Sequence, residues 1–270
     1  MDRIMDPKAL TFQSKKTTLF IILSGIFLTN AILAEIIGVK IFSAEKVLGM
    51  EPVGWRFFGD IVLDFNLTAG AAIWPIVFIT SDIINEYFGK TGVKKISYLT
   101  AIFIAYVFVV ISIVTLLPAA SFWLDINASD PDGNPFNISY AFNTIFRQGL
   151  GIIIGSLIAF LLGQLIDVYV FQRLRRITGA KMIWLRATGS TVVSQFIDSF
   201  VVLAIAFYVF GNWSIEQVIA VGIINYTYKF VVAILLTPLL YVGHGLIDRY
   251  LGKELAEKMT KEASADTSFL

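Results

Sequence analysis

Six apolar runs, each about as long as a bilayer is thick, constrain this chain more than any other feature. They are Thr18–Val39, Leu67–Phe88, Ile96–Leu117, Gly149–Val170, Ala187–Phe210 and Gln217–Gly243. A helix needs about 20 such residues to cross a ~30 Å hydrocarbon core. A lipid-exposed strand or loop cannot replace it, because each unpaired backbone group costs several kcal/mol in lipid. The expected fold is therefore all-α and integral to the membrane: six transmembrane helices in one domain over 18–243, a leading segment 1–17 and a tail 244–270. Only 15% of residues are charged, against ~25% in soluble domains, so the apolar excess is not spare core material. The first run is too long for a signal-peptide core and lacks a small-residue cleavage site, and it reads as a retained anchor.

Topology follows from the cations. Of the 21 Lys and Arg residues, all but Lys40, Lys46, Arg56, Arg147 and Lys229 fall before the first run, between the second and third, between the fourth and fifth, or after the sixth. Such a bias is the positive-inside pattern and places both termini in the cytoplasm. The outer segment Lys40–Asn66 carries Trp55, Phe57, Phe58, Ile61, Val62 and Phe65, too apolar for a free loop, and reads as a short hairpin or an interfacial helix. The second outer loop, Ala119–Phe142, holds Asp130-Pro131-Asp132-Gly133-Asn134-Pro135, which is turn chemistry. After Tyr250 the charges alternate, and a solvated, fraying helix is expected. Ser81-Asp82 in run two and Asp198-Ser199 in run five occupy corresponding places, a hint of a 3+3 inverted repeat.

Polar groups at membrane depth carry the functional reading, since a charge at mid-bilayer costs at least ~2.5–3.5 kcal/mol and persists where it pairs, faces a cavity or works. At about 1.5 Å per residue, Asn30, Asp198 and Lys229 lie near the midplane, with Gln195 and Asn225 close by. Asp82 lies deeper toward the cytoplasm, Glu86 is at that boundary, and Gln164 with Asp167 ends run four on the same side. The pairs Gln195/Asp198, Asn225/Lys229, Asp82/Glu86 and Gln164/Asp167 each share a helix face by their spacing. Runs five and six are joined by a short turn, so Asp198 and Lys229 are expected to meet. Such a pair either serves a solute or only fixes helix register. Glu35 is expected to reach the outer surface, and Trp74 and Trp184 read first as interface anchors. Tyr226, Tyr228, Phe196 and Phe230 adjoin the midplane polar groups, as suits a planar ligand. Gly151 and Gly155 form a GxxxG packing face.

Several chemistries drop out. There is no cysteine and one histidine, His244, just past the sixth run, so thiolate chemistry and histidine metal clusters are excluded. Gly89-Lys90-Thr91 imitates the end of a P-loop, but Ile84 stands where its first glycine belongs and no strand precedes it. No cofactor, metal or nucleic-acid partner is expected, and the catalytic inventory is too thin for an enzyme.

The residues also resemble a known family. Trp74-Pro75 followed by Thr80-Ser81-Asp82-Ile83-Ile84-Asn85-Glu86-Tyr87-Phe88-Gly89 is similar to the second-span signature of the queuosine precursor transporters, the vitamin-uptake-like family. Gly163-Gln164-Leu165-Ile166-Asp167 with Val170-Phe171 and Arg173 resembles its fourth-span motif, Ser190-Thr191 with Asp198 its fifth, and Asn225-Tyr226 with Lys229 its sixth. Ser81 stands where a threonine is expected and keeps the hydroxyl. The resemblance implies a multi-pass protein of the bacterial inner membrane. It further implies import of 7-cyano-7-deazaguanine, or a related deazapurine, for tRNA modification. The alternative is a substrate-binding membrane subunit of a multi-chain vitamin or nucleobase uptake system. The bilayer is its surrounding partner, and self-association into a homo-oligomer is compatible with the sequence. A guanine-like edge presents adjacent N–H donors that a carboxylate accepts, while amides serve the carbonyl. The candidate substrate-binding residues are Asn30, Asp82, Gln164, Gln195, Asp198, Asn225, Tyr226 and Lys229, with Asp82 and Asp198 as candidates for proton coupling and Arg147 as an outer-mouth residue.

Overall fold

Backbone groups surrounded by lipid must pair within their own segment, and the apolar runs are accordingly helical. The computed structural model describes residues 7–57, 61–147, 149–179 and 182–265; Arg3, Phe58 and Lys181 lie outside them. Helix α1 (Pro7–Ile37) leads into β1 (Ile41–Ser43), α2 (Ala44–Val47), β2 (Trp55–Phe57), β3 (Ile61–Leu63) and β4 (Asn66–Thr68). Then come α3 (Trp74–Val114), α4 (Ser121–Ile126), α5 (Ile138–Phe146), α6 (Leu150–Thr178), α7 (Ile183–Leu203), α8 (Ile215–Leu251) and α9 (Lys253–Ala265). Among the described residues, five stretches are long and apolar enough to cross a membrane: Leu10–Ile37, Trp74–Val114, Ile138–Thr178, Ile183–Val209 and Ile215–Leu251. Outward-facing apolar side chains such as Ile21, Ile102 and Leu235 suit a lipid surround.

The expected second and third runs fall in one 41-residue stretch, α3, interrupted at Gly89 (φ 70°, ψ −172°). That backbone conformation is essentially open to glycine alone. Ile104 and Phe108, well beyond the bend, are buried in the same core cluster as Leu19, Phe27 and Ile84. Residues after Gly89 therefore pack against the bundle rather than projecting from it. Gly89→Ala is expected to cost about 1–3 kcal/mol, read as a lower midpoint of thermal unfolding in detergent. An unchanged midpoint would show that the bend accepts a Cβ.

Other boundaries shift for local reasons. The second run was expected to turn helical at Leu67, but Leu67 lies in β4, paired with Phe42 of β1. A 3-10 turn over Ala69–Ala72 follows, and α3 starts at Trp74 with Pro75 in its first turn, where a missing N–H costs nothing. The outer segment resolves into two short antiparallel ladders, β1 with β4 and β2 with β3. Glu45 links β1 to the connection between β3 and β4, its carboxylate accepting from the Ser43 hydroxyl and the Phe65 N–H. In the second outer loop Asp130 accepts from the Asp132 and Asn134 N–H groups and the Asn134 amide. The Asn134 side-chain bond is the main reason the Asp130 carboxyl sits below the usual carboxylate range.

Against expectation, the tail does not float. On α9, Leu255, Ala256, Met259 and Ala263 are buried and form a stripe at helical spacing, while Lys16 pairs with Glu262 at 2.9 Å. Helix α8 begins at a Ser214/Gln217 capping box and runs through His244 to Leu251, so His244 lies inside the last long helix, buried, instead of beyond it. The GxxxG face packs as expected: a Cβ on Gly155 would meet the Val202 carbonyl at 3.2 Å, and one on Gly151 would overlap Phe210.

Candidate functional site

Helix α3 presents Trp74, Phe78 and Asp82 at intervals of four residues, hence on one face. Opposite them stand Thr188 and Thr191 on α7, and Tyr228, Lys229, Val232, Leu236 and Thr237 on α8. Together they line one cleft among the three helices. The Trp74 and Phe78 rings stack 5.8 Å apart, 17° from parallel. The Thr188 and Thr237 hydroxyls, 2.9 Å apart, join α7 to α8 along the wall. Asp82 is 5% exposed, and its Oδ1 is buried without a hydrogen-bond partner. A buried carboxylate oxygen left unsatisfied is costly, and here it belongs to a residue that lines the cleft.

The candidates named from sequence separate into groups. Asp82 and Lys229 line the cleft. The Lys229 ammonium donates to Asp198 Oδ2, so the anticipated pair across α7 and α8 is present, and Asp198 is half-buried at 22% side-chain exposure. Gln164 lies behind the cleft, where its Oε1 accepts from Ser81 Oγ at 2.9 Å. Gln195 is also buried, with its Oε1 unpartnered. Tyr226 stands edge-on to Phe196 at 5.3 Å, and Asn30 spends its amide on the Ile26 carbonyl of its own helix. Asn30, Asn225 and Tyr226 do not line the cleft, nor does Arg147, which is exposed at the end of α5.

Sequence reasoning missed the aromatic wall. Trp74 reads as an interface anchor when run two is taken alone, although its four-residue spacing to Phe78 and Asp82 marks it as cleft-facing. It also missed the charge network just before the Gly89 bend in α3. Arg186, 1% exposed, donates from Nη2 to Glu86 Oε1 at 2.7 Å and from Nε to Oε2 at 3.0 Å. Arg175 reaches Glu86 Oε1 at 3.4 Å and the carbonyls of Asn85, Glu86 and Thr260. Tyr87 donates to Asp248 at 2.6 Å and contacts His244 Nδ1 at 3.1 Å. Glu86, which the sequence places at the membrane boundary, is a buried tie among α3, α6, α7 and α9. Glu35 does not escape to the outer surface either: it bonds Ser156 on α6 and lies within electrostatic reach of Asp198. Among the described residues no cluster suited to a metal occurs.

The stretch holding the cleft, from the end of β4 to the last third of α8, coincides with a family model described as "Putative vitamin uptake transporter", which matches residues 68–243. The chain belongs to the vitamin uptake transporter family. Among its relatives is a protein of Bacillus subtilis named "Probable queuosine precursor transporter", 32% identical over 68% of this chain and 75% of that protein. The Escherichia coli "Queuosine precursor transporter" is 27% identical over 73% of this chain and 80% of its own. A Haemophilus influenzae relative, also named "Probable queuosine precursor transporter", is 29% identical over 64% of this chain and 66% of its own. No solved structure matches the chain. The family match covers every residue of the cleft and the Arg175–Glu86–Arg186 tie.

Proposed function

We propose that the chain is a carrier in the bacterial inner membrane that imports 7-cyano-7-deazaguanine or a closely related deazapurine for tRNA modification, and that it catalyses no reaction. The observation that carries this reading is the unpartnered Asp82 carboxylate in a cleft walled by Trp74, Phe78 and Tyr228. A deazaguanine presents neighbouring N–H donors on one edge and a flat ring on both faces. Asp82 accepts from that edge, and the aromatic wall takes the ring. Lys229, held by Asp198, polarises the ligand carbonyl, while Gln164 and Gln195 support Asp82 from behind. The names of the three relatives agree with this substrate class.

In the same reading the bend at Gly89 returns the chain through the bilayer, so that α3 crosses twice. The count becomes six crossings with both described ends on the cytoplasmic side, as the distribution of Lys and Arg requires. The Arg175–Glu86–Arg186 tie then lies at the inner face.

Purified protein in liposomes tests the proposal. Saturable uptake of radiolabelled 7-cyano-7-deazaguanine, competed by related deazapurines and not by adenine, is expected without further chains. Accumulation only when an ATP-driven partner is supplied would instead make the chain a binding subunit. Trp74→Ala is expected to raise the half-saturation concentration about tenfold, since base–aromatic stacking contributes ~1–3 kcal/mol. Unchanged affinity in that variant would place the ring elsewhere.

A further inference from the structure

Two hydroxyls on the cleft wall satisfy their contacts with a single arrangement of hydrogens. Thr188 on α7 and Thr237 on α8 both line the cleft, their Oγ1 atoms 2.9 Å apart. Thr237 Oγ1 also lies 3.1 Å from the Ala233 carbonyl one turn earlier, and a carbonyl only accepts. A threonine has one hydroxyl hydrogen. That of Thr237 goes to Ala233, so the contact between the two threonines is filled by the hydrogen of Thr188. The reverse assignment would set two acceptors against each other at Ala233. Thr188 therefore offers the cleft lone pairs and no donor. The hydroxyls of Thr191 and Tyr228, on the same wall, are not held by a hydrogen bond among the described residues and can turn to donate or accept.

Acceptors of fixed sense thus stand on two walls, Asp82 on α3 and Thr188 on α7, while Lys229 supplies a donor from α8. A deazaguanine whose six-membered ring faces Asp82 still carries one ring N–H, on its five-membered ring. In a nucleoside that nitrogen bears the sugar, which removes the donor and sets a bulky group in its place. We propose that Thr188 accepts the N–H of the solute's five-membered ring and so selects the free base over forms substituted at that nitrogen. Thr237 is the positioning residue that keeps Thr188 an acceptor. The inference rests on the carrier reading and sets which form of the solute the cleft takes.

The test measures binding to the full chain in detergent, and uptake into liposomes, for three solutes. They are radiolabelled 7-cyano-7-deazaguanine, its derivative methylated on the five-membered-ring nitrogen, and the furo[2,3-d]pyrimidine analogue, in which a ring oxygen replaces that N–H. Wild-type protein should bind the free base about tenfold or more tightly than either analogue, because a site built around a solute N–H rejects compounds that lack it. Thr188→Val, close in size, should lose about tenfold in affinity for the free base and nothing for the methylated derivative. Thr188→Ser should restore the lost preference. Thr237→Val releases the Thr188 hydrogen, which can then turn into the cleft. Binding of the furo analogue relative to the free base should improve about tenfold, whereas a purely structural role for Thr237 would weaken all three solutes alike. Thermal unfolding certifies each fold, and Thr188→Ala and Thr237→Ala replace any valine variant that fails it.

Wild-type protein that takes the methylated derivative as well as the free base overturns the assignment, and so does a Thr188→Val protein with its preference intact. Continued uptake of the free base in those cases leaves the carrier reading standing. A Thr237→Val protein that still refuses the furo analogue removes Thr237 as the positioning residue. Binding with the full preference but no uptake into liposomes sinks the carrier reading and keeps Thr188 in its role. Folded wild-type protein that binds no free base sinks both.

Discussion

Asp82→Asn is expected to abolish uptake while leaving the protein as stable as before, or more so. The substitution is isosteric and acts on a buried carboxyl that forms no ion pair among the described residues and has one unpartnered oxygen. Nothing in the fold depends on that oxygen. The proposed solute would, because an amide can accept only one of the two N–H groups offered by a guanine-like edge and turns its own N–H₂ against the other. Losing charge-assisted hydrogen bonds worth about 3 kcal/mol together weakens binding roughly 100-fold. Radiolabel uptake and a thermal unfolding curve in detergent, measured on the same preparation, separate the two effects. Wild-type uptake by Asp82→Asn would remove this residue from the solute path.

Arg186→Met should do the reverse, striking the fold first. Arg186 grips both oxygens of Glu86, and its Nη1 bonds the Gly179 carbonyl at the end of α6. With the guanidinium gone, Glu86 keeps only Arg175 at 3.4 Å. Stranding a buried charge costs about 3–5 kcal/mol, a large part of the ~5–15 kcal/mol that holds a typical protein folded. The midpoint of thermal unfolding should drop by about 10 °C or more. Removing the stranded charge as well, in Glu86→Gln/Arg186→Met, should recover part of the loss, because the two residues act as a unit. A single variant that unfolds at the wild-type temperature would show that the tie contributes little.

The two acids that sit at matching places in runs two and five end in unlike surroundings. Asp82 faces the cleft unpaired, whereas Asp198 is engaged by Lys229. Helical spacing identified both, and it also put Lys229 within reach of Asp198, because a short turn between long apolar helices leaves few arrangements. The same spacing rule, applied to Trp74, Phe78 and Asp82 together, would have found the aromatic wall. Taken singly, a tryptophan at a span end has a simpler reading as an anchor. The α9 stripe of Leu255, Met259 and Ala263 escaped for a similar reason: the intervening charges dominate the composition of the tail.

Hydropathy and the placement of cations were enough, without coordinates, to identify a helical membrane protein, because lipid leaves the backbone no other way to satisfy itself. Local spacing was also enough to name the ionisable groups held at depth. Which of them share a cavity was decided only by tertiary packing. The bend at Gly89 and the contacts of α6, α7 and α8 sent Glu86 to two arginines, Asp198 to a lysine, and Asp82 to the wall of the cleft. A sequence prescribes the face of a helix on which a charge stands. The partner that neutralises it comes from another helix, at a rotation and depth that only the packed bundle sets.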